Sequence, residues 1–442
     1  MSPAQRYAKK HAKARTRRRH KAQERQRREQ AQAQRAIEAL HQTLEELGLP
    51  KELICEIEAR LRAQNALMGK IFAMMFPTLF GCRSYLELCR VRGWDKNLPS
   101  RILGCLPRRS WLKRLRRLGL SVVETIWRSA QDKSPATQSR WQLTWVIDDS
   151  VFKKYGQQLD LVGTWWSGQE KRVRPGIDGV LLLVVIGEGK LVVPIDFVIR
   201  RPTPKGPGGR CYSKLTWTQV MLDACVSALE RRGLRLAPLV LVADSWLSDS
   251  KLMTDVQQHH QGTLLVEGKS TYVFALPDGR RLKGHDLTDK HALWKWRRSP
   301  WEPGVDYVRL TATSPTYGKV TVIIVDEPKQ DRYYLICLET SKSAPQLLRR
   351  WHRRHWIAVC FRMLKHLLAT ETCQVHSEDA YYGHLVLRLM GTFMLFCTSR
   401  RVLKGEMTME EMVFSVKHYW RFVDFEALEL QALSQGPEEK VA

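Results

Sequence analysis

The 442-residue sequence has no unbroken apolar run of about 18 residues, so no helix of it is expected to span a membrane. Its basic N-terminal stretch has no apolar segment behind it and is not expected to act as a secretory signal. The ten cysteines stand singly, without a Cys-x-x-Cys pair, which argues against a structural zinc knot. Most of them lie in apolar runs and read as buried thiols of a reducing cytoplasm. There is no Gly-x-Ser-x-Gly elbow for a serine hydrolase, no phosphate-binding P-loop and no Gly-x-Gly-x-x-Gly fingerprint. Acids are scarce as well: 45 Asp and Glu against 72 Lys and Arg leave a net charge of +27. What is there is a chain of ordinary hydrophobic content, 44%, long enough for two or three domains. The default partner of such a charge is a polyanion.

The charge is concentrated at the start. Residues 1–35 hold 13 Lys and Arg, with Glu24 and Glu29 the only acids, in a low-complexity stretch that has no apolar face. A disordered or nascent-helical basic arm that orders on phosphates is expected there. Residues 36–130 read as a helical DNA-binding region. Ile37, Leu40, Leu44 and Leu47 form one stripe, Ile54, Ile57 and Leu61 a second, and the apolar segment 68–82 breaks at Pro77. Over 101–118, a Pro-Arg-Arg-Ser helix start leads into Arg108, Arg109, Lys113, Arg114, Arg116 and Arg117 around Leu112, Leu115 and Leu118. Six positive charges in ten residues favour contact with DNA over a merely solvated face. Residues 131–140 are a polar linker.

From 141 the apolar period changes from 3.6 to 2. A strand at 145–149 is followed by 179–186 and 190–200, joined through Gly187-Glu188-Gly189, then by a Pro/Gly loop at 200–210. A helix at 215–233, a strand at 239–244, a helix to about 260 and a strand at 263–269 complete a mixed α/β sheet over 141–269. Residues 270–342 are strand-like again and read as a β-rich insertion. Residues 343–433 carry one strong helix at 345–369 and further helices, and 434–442 are a polar tail.

Two of these strands deliver acids at their ends. Trp145, Val146 and Ile147 lead into Asp148, Asp149 and Ser150, and the purer apolar run 239–243 leads into Asp244 and Ser245. Two carboxylates on neighbouring strand ends, near one from a later helix, can hold two Mg²⁺ ions (or Mn²⁺). Such a pair clamps the attacking and leaving oxygens of a phosphodiester during in-line displacement.

On these stretches the sequence from about 141 to 420 resembles the DDE transposases of bacterial insertion sequences, in the cut-and-paste class. The resemblance implies an RNase H-like core, interrupted by the β-rich insertion and preceded by the helical region and the basic arm. It also implies double-stranded DNA (transposon ends and target) as partner, a homodimer on paired ends, a cytoplasmic, nucleoid-associated location and metal-dependent strand cleavage and transfer. The family's helical Tyr-x2-Arg-x3-Glu-x6-Lys signature falls on Trp351, Arg354, Ala358 and Lys365. Arg354 and Lys365 match, three turns apart, and are expected to hold phosphate. Ala358 stands where the third carboxylate belongs, and an alanine ligates no metal. Either another acid serves, with Glu371 and Glu378 the nearest, or the chain is an inactive copy, or it is a relative kept for DNA binding. Asp149, which directly precedes the hydroxyl residue as Asp244 does, is taken as the first metal ligand, with Asp148 as its alternative. WKWRRSPW (294–301) interleaves Trp294, Trp296 and Trp301 with Lys295, Arg297 and Arg298, a mix suited to stacking a flipped base beside phosphates or to packing a small β region.

Overall fold

A computed structural model describes residues 3–47, 51–61, 67–131, 142–156, 158–168, 170–187, 191–202, 213–234, 239–338 and 340–419. The expected turn at 187–189, the linker 131–140, the loop 200–210 and the tail 434–442 lie wholly or largely outside them. The chain divides into two compact units, Met1–Cys105 with His366–Gln374 and Met390–Ala442, and Leu106–Lys365 with Val375–Leu389.

The first unit is helical among its described residues. Pro3–Leu47 is one helix, as the Arg, Lys, Gln and Ala residues of the basic arm allow. It is exposed from Arg17 to Arg28 and then buries Ala33, Ala36, Ile37 and Leu40 at helical spacing, packed on the helix Met409–Tyr419. Pairs four residues apart, Arg25–Glu29 and Arg28–Glu24, both at 2.8 Å, support the exposed length. The break expected at Pro77 is present: the helix Leu67–Met75 gives way to a 3-10 turn, Pro77–Phe80.

The second unit is built on a twelve-stranded sheet. Its strands are β1 (Leu143–Lys153), β2 (Gly163–Ser167), β3 (Arg172–Ile186), β4 (Leu191–Arg200), β5 (Val240–Ala243), β6 (Thr263–Glu267), β7 (Val273–Ala275), β8 (Arg281–Lys283), β9 (Arg297–Arg298), β10 (Asp306–Ser314), β11 (Gly318–Asp326) and β12 (Tyr333–Leu338). β3 runs antiparallel to β1, and β4 antiparallel to β3. On the other side of β1, β5 is parallel to it and β6 is parallel to β5. The parallel neighbours need crossovers, and the helices Lys214–Glu230 and Ser250–Gln258 supply them. Both start on side-chain caps, Ser213 accepting from Thr216 N and Asp249 from Leu252 N. The mixed sheet expected over 141–269 is therefore present, with β1 at its centre. Trp145, Val146 and Ile147 are at most 1% exposed there. The β-rich stretch after it does not stand apart: β12 pairs antiparallel with β6, and β11 and β10 extend the same sheet.

One expected helix starts at its Pro-Arg-Arg-Ser signal, and another is interrupted. The 101–118 segment is two helices, Leu98–Gly104 and Arg108–Gln131, parted at Pro107. The second buries Trp111, Leu115, Leu120 and Val123 and packs on β4. The strong helix at 345–369 is a helix Ala344–Trp351, a 3-10 turn His352–Arg354, a helix His355–Arg362 and a π turn Met363–Leu367.

Candidate functional site

The parallel strands bring three acids into one row. Ile147 of β1 is level with Ala243 of β5, and Ala243 with Val266 of β6. One residue further on, the same register sets Asp148, Asp244 and Glu267 side by side, Asp148 midway along β1, Asp244 directly after β5 and Glu267 at the carboxyl end of β6. Parallel strands in register point level residues to the same face, about 4.8 Å apart from strand to strand. Clefts outside the carboxyl ends of parallel strands are where open α/β sheets place ligands. Glu267 was not singled out in the sequence, although TLLVE carries the same signal as the other two strands, an apolar run closed by an acid.

Arg354 closes this row. Its Nη2 lies 3.1 Å from Asp148 Oδ2 and 3.3 Å from Asp244 Oδ2, so one guanidinium bridges the two carboxylates. Its guanidinium also lies over the Trp351 ring, 5.4 Å from the centroid. The turn that carries it is pinned to the start of β1. Arg353 donates to Thr144 Oγ1 at 2.7 Å and to the Gln142 carbonyl at 3.0 Å. Arg350 donates to Thr144 Oγ1 at 3.0 Å and to the Leu143 carbonyl. Burial pushes the Arg350 guanidinium down to about 9 and that of Arg353 to about 10.

Beside the bridge opens a cavity of about 440 Å³ whose walls include Asp148, Glu267, His352, Arg354 and Ala358. Ala358 thus faces the same space as Asp148, where the resemblance expects a carboxylate. Burial raises the Asp148 carboxyl to about 6; Arg354 pulls it down, while Asp149 and Asp244 add to the rise. Burial and the Asp244 charge raise Glu267 also. His352 is held between two acids: Nδ1 meets Glu302, and Nε2 lies 3.1 Å from Glu327 Oε1. Burial opposes its charge, but the bonds to Glu302 and Glu327 prevail and hold the ring at about 9. The His352 ring on the cavity wall is therefore favoured in its charged form.

Asp149 does not join Asp244, which corrects the expected choice within the Asp148-Asp149 pair. Side chains alternate along β1, so Asp149 points to the opposite face. There Lys214 Nζ meets its Oδ2 at 2.6 Å. Asp178 of β3, 1% exposed, shares that face and bonds Arg200 Nη1 at 2.6 Å. Burial first, and the Asp149 charge second, raise Asp178 to about 7.

The residues do not fit the expected Mg²⁺ or Mn²⁺ ion as they stand. A guanidinium holds the place between Asp148 and Asp244 that a cation would take, and Ala358 adds no donor. Among the described residues no group of three or more His, Cys, Asp and Glu is arranged to hold a metal ion. The candidate third acids lie elsewhere. Glu378 is engaged by Arg108 and Arg201, and Glu371 sits in a 3-10 turn of the other compact unit. Lys365 lies over the Phe152 ring at 5.5 Å, and the broken helix removes the single face it was expected to share with Arg354.

The expected DNA-contacting residues divide in two. Arg116 is turned inward onto buried Asp196, and Arg108 pairs with Glu378. Arg114 is partly buried, whereas Arg109, Lys113 and Arg117, spaced by four, lie on the exposed face of their helix. Trp294 is half-buried and donates to the Leu287 carbonyl at 3.1 Å. Trp296 lies under Arg332, 4.9 Å from ring centroid to guanidinium, and Arg298 pairs with Asp306 at 3.1 Å. Arg297 and Trp301 are exposed, Trp301 with the Arg349 guanidinium 5.5 Å from its ring.

No family model matches the sequence, and no curated protein matches it. Among solved structures the chain is similar to the piggyBac transposase in a synaptic complex with hairpin DNA, at 12% identity and a TM-score of 0.44, over 91% of this chain and 86% of that one. At that identity and score the likeness carries neither the fold nor the function.

Proposed function

We propose that the chain is a DNA-binding protein of the cut-and-paste transposase type, with an RNase H-like core. One observation carries this reading. Asp148, Asp244 and Arg354 come from three distant stretches that were singled out on sequence alone, and they meet within 3.3 Å, the two acids level in the register of adjacent parallel strands. The net charge of +27 supplies the attraction to phosphate.

The finer reading is a transposase of a bacterial insertion sequence that binds double-stranded element ends as a homodimer, cuts with a divalent metal and transfers the cut strand. A second reading is a relative or regulator that binds DNA without cutting. Ala358 on the cavity wall and the Arg354 bridge favour the second. No step through a metal follows from this arrangement.

Retention of a linear duplex at rising salt tests DNA binding. The expected result is tight binding at about 50 mM salt and a steep linear loss on a log–log plot, because each neutralised phosphate adds about 0.9 to the slope. Absence of retention at that salt contradicts the proposal.

A further inference from the structure

Three cations from two strands close on one carboxylate at the turn between β2 and β3. Glu170 Oε1 takes Lys153 Nζ at 3.3 Å and Arg174 Nη1, and Oε2 takes Arg172 Nε at 3.0 Å and Nη2 at 2.9 Å. The strands set this up. Lys153, at the end of β1, is level with Gly176 of β3. Level residues of an antiparallel pair share a face, as do residues two apart along a strand, so Lys153, Arg174 and Arg172 stand together.

One carboxylate leaves two of these three charges uncompensated. The hydrogen bond from Arg172, the largest cause, holds Glu170 below the usual carboxylate range, so it is charged at neutral pH. Arg174 is 7% exposed; its Nη2 lies 3.4 Å from Tyr155 OH, and its buried Nε has no partner among the described residues. A guanidinium withdrawn from water needs an anion that meets it closely. The cluster is open on its outer side, where the side chains of Lys153 and Arg172 are 47% and 71% exposed. Glu170 belongs to the turn rather than to either strand, so its side chain can swing away while the three cations keep their places.

We infer that Lys153, Arg172 and Arg174 are a seat for a phosphate of the DNA backbone, and that Glu170 holds the seat as a built-in competitor. A phosphodiester, like a carboxylate, presents two oxygens that share one negative charge, and the guanidinium fork fits either. A duplex carries one such charge per about 1.7 Å of axis, so neighbouring phosphates supply the charge that a lone carboxylate lacks. The seat rests on the DNA-binding reading and adds to it a backbone contact and the carboxylate that restrains it. None of its residues belongs to the Asp148–Asp244 row, to the 101–118 segment or to 294–301.

The test uses the full chain and a linear duplex, with affinity read against salt. Glu170→Gln is expected to bind roughly three- to tenfold more tightly than the wild type at about 0.1 M salt, the weight of one phosphate contact. Asp278→Asn adds the same charge at another turn, where Asp278 pairs with Arg280 at 2.8 Å. It should gain less than about twofold, because salt screens a charge that touches no phosphate. Arg172→Gln should lower the salt slope by about 1 and, combined with Glu170→Gln, remove the gain. Arg172 is exposed, so its replacement leaves the fold in place and its slope decides even if Glu170→Gln is unstable. If Glu170→Gln binds no more tightly than Asp278→Asn, if the double variant keeps the gain, or if Arg172→Gln keeps the wild-type slope, the seat is overturned while DNA binding stands. If the wild type binds no duplex, the DNA-binding reading falls and the seat with it.

Discussion

Arg354 stands between Asp148 and Asp244 and sets their charge. Asp148 already lies at about 6 because burial outweighs the guanidinium. Arg354→Gln should drive it higher still, which a carboxyl-carbon NMR titration would show; an unchanged midpoint would mean that the bridge does not form in solution. Because the folded chain binds this proton more tightly than the unfolded one, Asp148 favours folding at acid pH, and the contribution is lost as pH rises through about 6. His352 acts in the same direction over a higher pH window. Its folded value of about 9 exceeds the ordinary 6.5, so the charged ring contributes stability that is complete below about 6.5 and is lost through about 9. Denaturant melts should show that loss between pH 6.5 and 9 in the wild type, and His352→Gln should flatten it. At this scale the sequence was informative in part. Asp244 and Arg354 were legible, because an acid closing an apolar strand and an arginine at the signature position are local signals. Which of Asp148 and Asp149 faces Asp244 was not, since alternation says that they diverge but not which one faces the helix of Arg354.

Elements hold these side chains only where backbones approach closely. Gly119, on the helix Arg108–Gln131, has no room for a Cβ: one placed there would stand 2.6 Å from the Pro194 carbonyl oxygen and 2.8 Å from Ile195 Cδ1. Gly119→Ala should cost about 1–3 kcal/mol through overpacking, read as a lower denaturation midpoint. A midpoint equal to the wild type would show that this helix does not pack on β4 as described. The sheet itself was legible, because strand periodicity and the hairpin-then-crossover order are written in the apolar pattern. The breaks in the 345–369 segment were not. Leu347, Leu348, Trp351, Ile357 and Leu364 keep a helix-like apolar pattern straight through a 3-10 and a π turn, and only the bonds of Arg350 and Arg353 to the start of β1 reveal why the chain tightens there. The basic helix was only partly legible for a related reason. Its charge count was visible, but the buried partner of Arg116, Asp196, lies on a strand 80 residues away.

At the scale of the whole molecule the dominant feature is charge, and residues 1–35 carry 13 of the 72 Lys and Arg. Arg17, Arg18 and Arg19 are exposed there, so changing all three to Gln should leave the melting temperature in place and lower the salt slope of duplex binding by about 3, near one unit per lost phosphate contact. An unaltered slope would mean that the arm takes no part in binding. The Asp148–Asp244 pair is proposed to be a transposase-type site that lacks one carboxylate at Ala358. Nicking of supercoiled plasmid in Mg²⁺ and in Mn²⁺ tests it most directly, with the wild type beside Ala358→Glu and Ala358→Glu/Asp244→Ala. All three are expected to bind the plasmid, and only Ala358→Glu to nick it. Nicking by the wild type, or by Ala358→Glu/Asp244→Ala, would contradict it.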